Sequence, residues 1–221
     1  TALETVTFAE GTKIAKMGTS VFMSSGIKTF EFPKAITEIP SSTFASCANL
    51  TGVTFLGEIT SIGSSAFAGC TSLESFTIPE TVTTLGASAF KGSGLKSIYI
   101  PGSITSSSSY VFQGCEQLET VVFAEGIEKL GTSMFEDCIN LKSVKLASTI
   151  NYISSWAFGG CTSLKSIVIP AAAVTAYAKI FEGWTADQTI YFEGDSTDYD
   201  AWGSSWNENC EAKLVYNYKA E

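Results

Sequence analysis

One phenylalanine recurs along the chain at Phe22, Phe44, Phe67, Phe90, Phe112, Phe135, Phe158 and Phe181, at intervals of 22 or 23 residues. Two further apolar columns keep step with it. One is Leu3, Ile27, Leu50, Leu73, Leu95, Leu118, Leu141 and Leu164; the other is Ile14, Ile36, Ile59, Val82, Ile104, Ile127 and Ile150. A domain folded around one central core has no reason to hold three columns at a single period. A chain whose period is one supersecondary unit does: no unit buries its apolar edge alone, and stacked units bury a continuous core. The period falls within the roughly 20–29 residues of leucine-rich repeats.

A representative unit reads Leu73-Glu74-Ser75-Phe76-Thr77-Ile78-Pro79, then Val82, Leu85-Gly86 and Ala89-Phe90. Apolar residues at unit positions 4 and 6 alternate about an outward one, the two-residue period of a strand. Proline closes this segment in four units (Pro33, Pro79, Pro101 and Pro170), where it ends a strand without interrupting a sheet. The Val82–Gly86 part reads as a short extended or turn segment, and Ser88-Ala89-Phe90 as a compact or helical turn leading to the next leucine.

Segments such as Ile62-Gly63-Ser64-Ser65-Ala66-Phe67-Ala68-Gly69-Cys70-Thr71-Ser72-Leu73 and Ala157-Phe158-Gly159-Gly160-Cys161-Thr162-Ser163-Leu164 resemble the I-G-x-x-A-F-x-x-C-x-x-L signature of the BspA-like leucine-rich-repeat family. The resemblance runs over about residues 3 to 170. It implies a large surface or secreted protein of bacteria or protists, working in adhesion or in host and matrix contact. The expected fold is an α/β-type solenoid dominated by short parallel strands. It is a right-handed leucine-rich-repeat superhelix of about eight repeats over residues 1–170, with a last degenerate repeat and C-terminal cap over 171–221.

Departures from the repeat carry information. The first unit has two extra residues between Leu3 and Ile14, and the Phe22–Ile27 and Phe90–Leu95 steps are one residue short and lose a cysteine. Ser107 stands where Met17, Ile39, Ile62, Leu85, Leu130 and Ile153 are apolar, and Tyr110 is expected to fill the gap. After Pro170, Ala171-Ala172-Ala173-Val174-Thr175-Ala176-Tyr177-Ala178-Lys179 reads as a short helix and Thr189–Phe192 as a strand. The cap is marked by Trp202, Trp206 and Cys210, a W-x-x-x-W-x-x-x-C spacing that resembles endings in the same family. No N-terminal cap or signal peptide is legible at Ala2-Leu3-Glu4-Thr5-Val6, as for a mature or truncated chain that continues upstream.

Composition removes several chemistries. The chain carries a net charge of −9, and all thirteen of its cationic residues are lysines; there is no histidine and no arginine. Imidazole bases, Ser-His and Cys-His pairs and histidine metal ligands are therefore absent, as is the bidentate grip of arginine on phosphate or guanine. An acidic chain with scattered lysines lacks the footprint of a nucleic-acid binder. No apolar run reaches the length of a membrane span. No cofactor or catalytic residue is expected, nor a partner copy: the chain reads as a monomer and not as an enzyme.

Five cysteines share one column, Cys47, Cys70, Cys115, Cys138 and Cys161. They read as small buried apolar residues, the alternative being bridges between neighbouring turns. The Glu193, Asp195, Asp198 and Asp200 loop reads as solvated or as a set of oxygen ligands for calcium. The strand face is the leading functional candidate. Outward positions give one column of Thr5, Thr29, Gly52, Ser75, Ser97, Thr120, Ser143 and Ser166 and another of Thr7, Glu31, Thr54, Thr77, Tyr99, Val122, Lys145 and Val168. Position 2 adds Glu4, Lys28, Thr51, Glu74, Lys96, Glu119, Lys142 and Lys165. Two uses remain open. Tyr99, Val122, Lys145 and Val168, with Thr77 and Thr120, form a face that binds protein or glycan outside the cell, or the hydroxyl and charge ladders simply stabilise a parallel sheet. The corresponding functions are a recognition or adhesion module and a passive spacer that presents other domains.

Overall fold

The computed structural model describes residues 3–9 and 11–219. Its strands are β1 (Thr5–Val6), β2 (Thr29–Phe32), β3 (Glu38–Ile39), β4 (Gly52–Phe55), β5 (Ser61–Ile62), β6 (Thr84–Leu85), β7 (Ser97–Ile100), β8 (Thr120–Phe123), β9 (Lys129–Leu130), β10 (Ser143–Lys145), β11 (Tyr152–Ile153), β12 (Ser166–Ile169), β13 (Thr175–Ala176), β14 (Thr189–Phe192) and β15 (Lys213–Val215). Every strand pairing among the described residues is parallel, and each aligns a position with its equivalent one repeat on, as in Ile98↔Val121↔Val144 and Ser61↔Thr84. The chain is a solenoid of about nine turns with almost no helix. The first strands of the units form the sheets β1-β2-β4, β7-β8-β10 and β12-β14-β15; the second strands, two residues each, form β3-β5-β6 and β9-β11-β13. The helical element among the described residues is the 3-10 helix Ser196–Trp202.

The phenylalanine column is a stacked spine. Successive rings from Phe22 to Phe181 stand 5.2–6.0 Å apart with interplanar angles of 5–18°, and those from Phe44 onward are fully buried. The leucine and isoleucine columns are buried too, except at the first turn, where Leu3 and Ile14 are half-exposed.

Each spine phenylalanine sits between two residues with left-handed backbone. Two positions before it come Ser20, Ser42, Ser65, Ser88, Tyr110, Ser133, Trp156 and Lys179; two positions after it come Ser24, Ser46, Gly69, Gly92, Gly114, Asp137, Gly160 and Gly183, all at positive φ. The tight turn thus returns the chain to the next strand without a helix. Its phenylalanine N–H donates to the following turn, for example Phe112 N to Met134 O at 2.9 Å. Gly86 permits close stacking at the other corner, since a Cβ there would overlap the backbone of Gly63 and Ser64.

The cysteine column is fully buried and its thiols are free. Each Sγ donates to the carbonyl of the phenylalanine one turn upstream, Cys47 to Phe22, Cys70 to Phe44, Cys115 to Phe90, Cys138 to Phe112 and Cys161 to Phe135, at 2.8–3.2 Å. The indole Nε1 of Trp184 continues the ladder to Phe158 O at 3.0 Å. In the two short units serines take the position: Ser25 and Ser93 lie 3.5 and 3.4 Å from the sulfurs of Cys47 and Cys115.

Three expectations are corrected. Tyr110 does not fill the gap at Ser107; it is exposed. The Ser107 hydroxyl instead donates to Lys129 O at 3.2 Å and accepts from Gly131 N at 3.0 Å, so the polar group is satisfied by the next turn's backbone. Residues 171–179 are not a helix: Thr175–Ala176 pairs with Tyr152–Ile153, and buried Ala173 extends the isoleucine column by one repeat. Repeat register outweighs the high helical propensity of alanine there, because local propensity yields to tertiary packing, and Trp202, whose Nε1 donates to Ala173 O at 2.7 Å, covers the small residue. The Leu73–Ile78 unit carries no strand; the half-buried Phe76 ring sits 5.0 and 4.9 Å from Phe67 and Phe90.

Candidate recognition surface

The outward row expected on the strand face is assembled. Tyr99 on β7, Val122 on β8 and Lys145 on β10 are direct register partners on adjacent strands. Tyr99 is 48% exposed, Lys145 is exposed and Val122 half-buried. Thr120 lies in the parallel row, in register with Ser97 and Ser143. Thr77 is exposed, in the unit without a strand. Val168 on β12 stands beyond a break, because β10 and β12 belong to different sheets; its register partner is Tyr191 on β14.

At that break the inward-facing Val144 and Leu146 are only partly buried. A shallow groove of about 270 Å³ opens there, lined among others by Lys145, Val168, Leu146, Pro170, Glu125 and Glu193. Glu125 is held below the usual carboxylate range, first by the Ser148 N–H and hydroxyl and to a lesser degree by Lys145. Lys145 makes no ion pair among the described residues, nor does Lys165 at position 2, whereas three other position-2 lysines do: Lys28–Glu4 at 2.8 Å, Lys96–Glu74 at 2.6 Å and Lys142–Glu119 at 2.9 Å. These exposed pairs contribute about 0–1 kcal/mol each. Their main effect is to neutralise charge along one edge of the face.

Two features went unread in the sequence. Tyr191 prolongs the outward row, its ring 4.5 Å from Tyr218; the signal was available, because Tyr191 occupies the outward position of a strand already recognised. The second is an aromatic flank on the short-strand side. Lys129, Tyr152 and Thr175 are register partners on β9, β11 and β13. The Tyr152 and Tyr177 rings lie 5.2 Å apart, and the Lys129 ammonium stands 5.9 Å from the Tyr152 ring centre. Nearby in each turn, Tyr110 and Trp156 hold left-handed positions that are serine in five of the eight units. A bulky L-residue there costs roughly 1–2 kcal/mol, and such strain concentrates at functional positions. Lysines stand over both rings, Lys91 at 6.0 Å from Tyr110 and Lys179 at 5.7 Å from Trp156. Glu182 accepts from Asn209 Nδ2 and from Trp156 Nε1, and these bonds, that of Asn209 first, lower its pKa.

The acidic loop is engaged in its own architecture. Asp195 caps the 3-10 helix by accepting from Thr197 N at 2.8 Å, and Asp198 Oδ2 accepts from Asp195 N at 2.8 Å. Among the described residues no group of three or more acidic or cysteine side chains is placed to hold a metal ion, and no helix is long and apolar enough to cross a membrane.

A search among curated protein sequences returns no significant match. Among solved structures, the chain is similar to a leucine-rich repeat protein from Bacteroides ovatus (TM-score 0.59, 21% identity, covering 91% of this chain and 56% of that one). It is also similar to one from Eubacterium ventriosum (0.59, 24%, 72% and 43%) and to the leucine-rich repeat protein of T. pallidum (0.62, 22%, 71% and 74%). The chain thus spans about half the length of the first two. These likenesses concern the fold. The sequence model of the BspA type leucine-rich repeat region matches residues 1–96 and 83–210 in six copies. With the stacked phenylalanines and the thiol ladder in one register, this chain belongs to the BspA-type leucine-rich-repeat family.

Proposed function

We propose that this protein is a non-catalytic recognition or adhesion module that acts outside the cell and binds protein or glycan through its strand face. The observation that carries the reading is the contiguous row Tyr99–Val122–Lys145 on three hydrogen-bonded strands, next to the groove shared by Lys145 and Val168. A parallel ladder spaces such side chains at about 4.8 Å and holds them rigidly, so a partner meets a preorganised surface. Tyr99 supplies an apolar body with a polar tip, the kind of anchor that dominates interfaces. Lys145, exposed and outside the ion pairs of the face, selects an acidic contact. In this reading residues 171–221 serve as the C-terminal cap. The cluster of Phe192, Tyr199, Trp202, Trp206 and Tyr216 supports it, with Trp206 set edge-on 6.2 Å from the last spine ring at Phe181.

The test is a screen of the purified chain against immobilised glycans and extracellular-matrix proteins, alongside Tyr99→Ser/Val122→Ser. The double variant should fold normally and lose about tenfold or more in affinity for at least one ligand found, equivalent to about 1.4 kcal/mol or more. A well-folded double variant with undiminished affinity for every ligand found refutes the strand face. A screen without any binder favours the passive spacer, for which the ladders serve only the sheet.

A further inference from the structure

The aromatic flank formed by β9, β11 and β13 is a second surface, on a different sheet from the strand face, and it has features the sheet itself does not require. Tyr177 is 49% exposed and its neighbour Val174 is 51% exposed. Tyr152 and Tyr177 present rings inclined at 43° on consecutive turns. Polar groups border them: the hydroxyls of Ser154 and Thr175, both partly exposed, the two phenols, and the Lys129 ammonium.

We propose that this flank binds a neutral carbohydrate chain, laid along the solenoid axis with successive pyranose rings on Tyr152 and Tyr177 and hydroxyl contacts to Ser154, Thr175 and Lys129. Three arguments select that ligand. The first is spacing: the Tyr152 and Tyr177 rings stand 5.2 Å apart on consecutive turns, close to the length of one pyranose unit, so consecutive sugars meet consecutive rings. The second is chemistry. A pyranose offers an apolar C–H face and a rim of hydroxyls, and the flank answers with ring faces inside a border of donors and acceptors. The third is charge. Lys91, Lys129 and Lys179 each stand over an aromatic ring, and Lys179 also pairs with Glu182 and Glu208 at 3.4 and 3.9 Å. An overall charge of −9 disfavours polyanions. Rigidity helps as well: tyrosine offers contact area at a low conformational-entropy cost.

The experiment is affinity electrophoresis of the whole chain through gels containing a β-1,4-mannan, a β-1,3-glucan, a xyloglucan or an α-1,4-glucan, with heparin as the polyanionic counterpart and calorimetry on any hit. At least one neutral polysaccharide should retard the chain. Tyr152→Ala/Tyr177→Ala, and Tyr177→Ser alone should the double variant fail to fold, should weaken binding about tenfold or more. Tyr152→Phe/Tyr177→Phe should retain most of it, and Tyr99→Ser/Val122→Ser should bind as the parent does, which separates this site from the strand face. Retardation by none of the four, retardation by heparin alone, unchanged affinity in the folded tyrosine variants, or loss confined to the strand-face variant would each overturn the proposal.

Discussion

Replacing Phe135 with alanine tests the spine at a fully enclosed point. The ring is fully buried, stacked 5.4 Å from Phe112 and 5.7 Å from Phe158, and set edge-on 5.9 Å from Phe123. Burying such a side chain contributes about 1.5–3 kcal/mol by transfer alone, and each aromatic neighbour adds about 0.5–1.5 kcal/mol. The neighbours are stacked turns that cannot collapse without losing register, so the loss belongs in the upper part of the roughly 3–5 kcal/mol range for Phe→Ala, near 4 kcal/mol. A solenoid couples only adjacent turns, so the cavity should also uncouple the two halves. All four tryptophans (Trp156, Trp184, Trp202 and Trp206) lie C-terminal to the mutation, and their fluorescence reports one half while far-ultraviolet circular dichroism reports the whole. In urea the parent's two signals should coincide; those of Phe135→Ala should separate, with the summed stability lower by about 4 kcal/mol. Coincident transitions with a loss below about 1 kcal/mol would refute the spine as the element that holds the turns together.

The thiol ladder predicts both slow chemistry and an alkaline weakness. Native labelling should reach at most Cys210, the one half-buried thiol, and denaturant should release all six; rapid native labelling of four or more would contradict the buried column. Burial pushes Cys70 up to about 12 and Cys115, Cys138 and Cys161 upward from the ordinary 9.0. The unfolded chain loses those protons first, so stability should be full below about pH 9 and fall as pH rises toward the folded-state values. A Cys70→Ala/Cys138→Ala variant should show a shallower alkaline decline in urea midpoints, and an identical slope would show that the thiols do not cause it. Tyr110→Asn should raise stability by up to about 1 kcal/mol, because asparagine tolerates the left-handed backbone that tyrosine occupies at φ 62; a loss of stability in thermal melts would show that the Lys91 contact outweighs the strain.

Much of the architecture is legible in the residues because a repeat states the same physical requirement many times over. Apolar columns at one period must face inward, and parallel stacking in register then follows, as does the outward row Tyr99–Val122–Lys145 from the two-residue strand period. Local propensity misleads where it disagrees with register: 171–179 has the composition of a helix, yet Ala173 and Ala176 answer to columns set by Ile150 and Ile153. The break between β10 and β12, the groove it opens beside Lys145, and the side on which Tyr152, Tyr177 and Lys129 converge are decided by the tertiary structure alone. Sequence spacing states which residues share a column, but not where a hydrogen-bond ladder lapses. Nor does it state which ring a lysine stem reaches from the next turn. Those outcomes depend on backbone conformation, such as the left-handed turns at Tyr110 and Trp156, and only stacked neighbours hold that conformation in place.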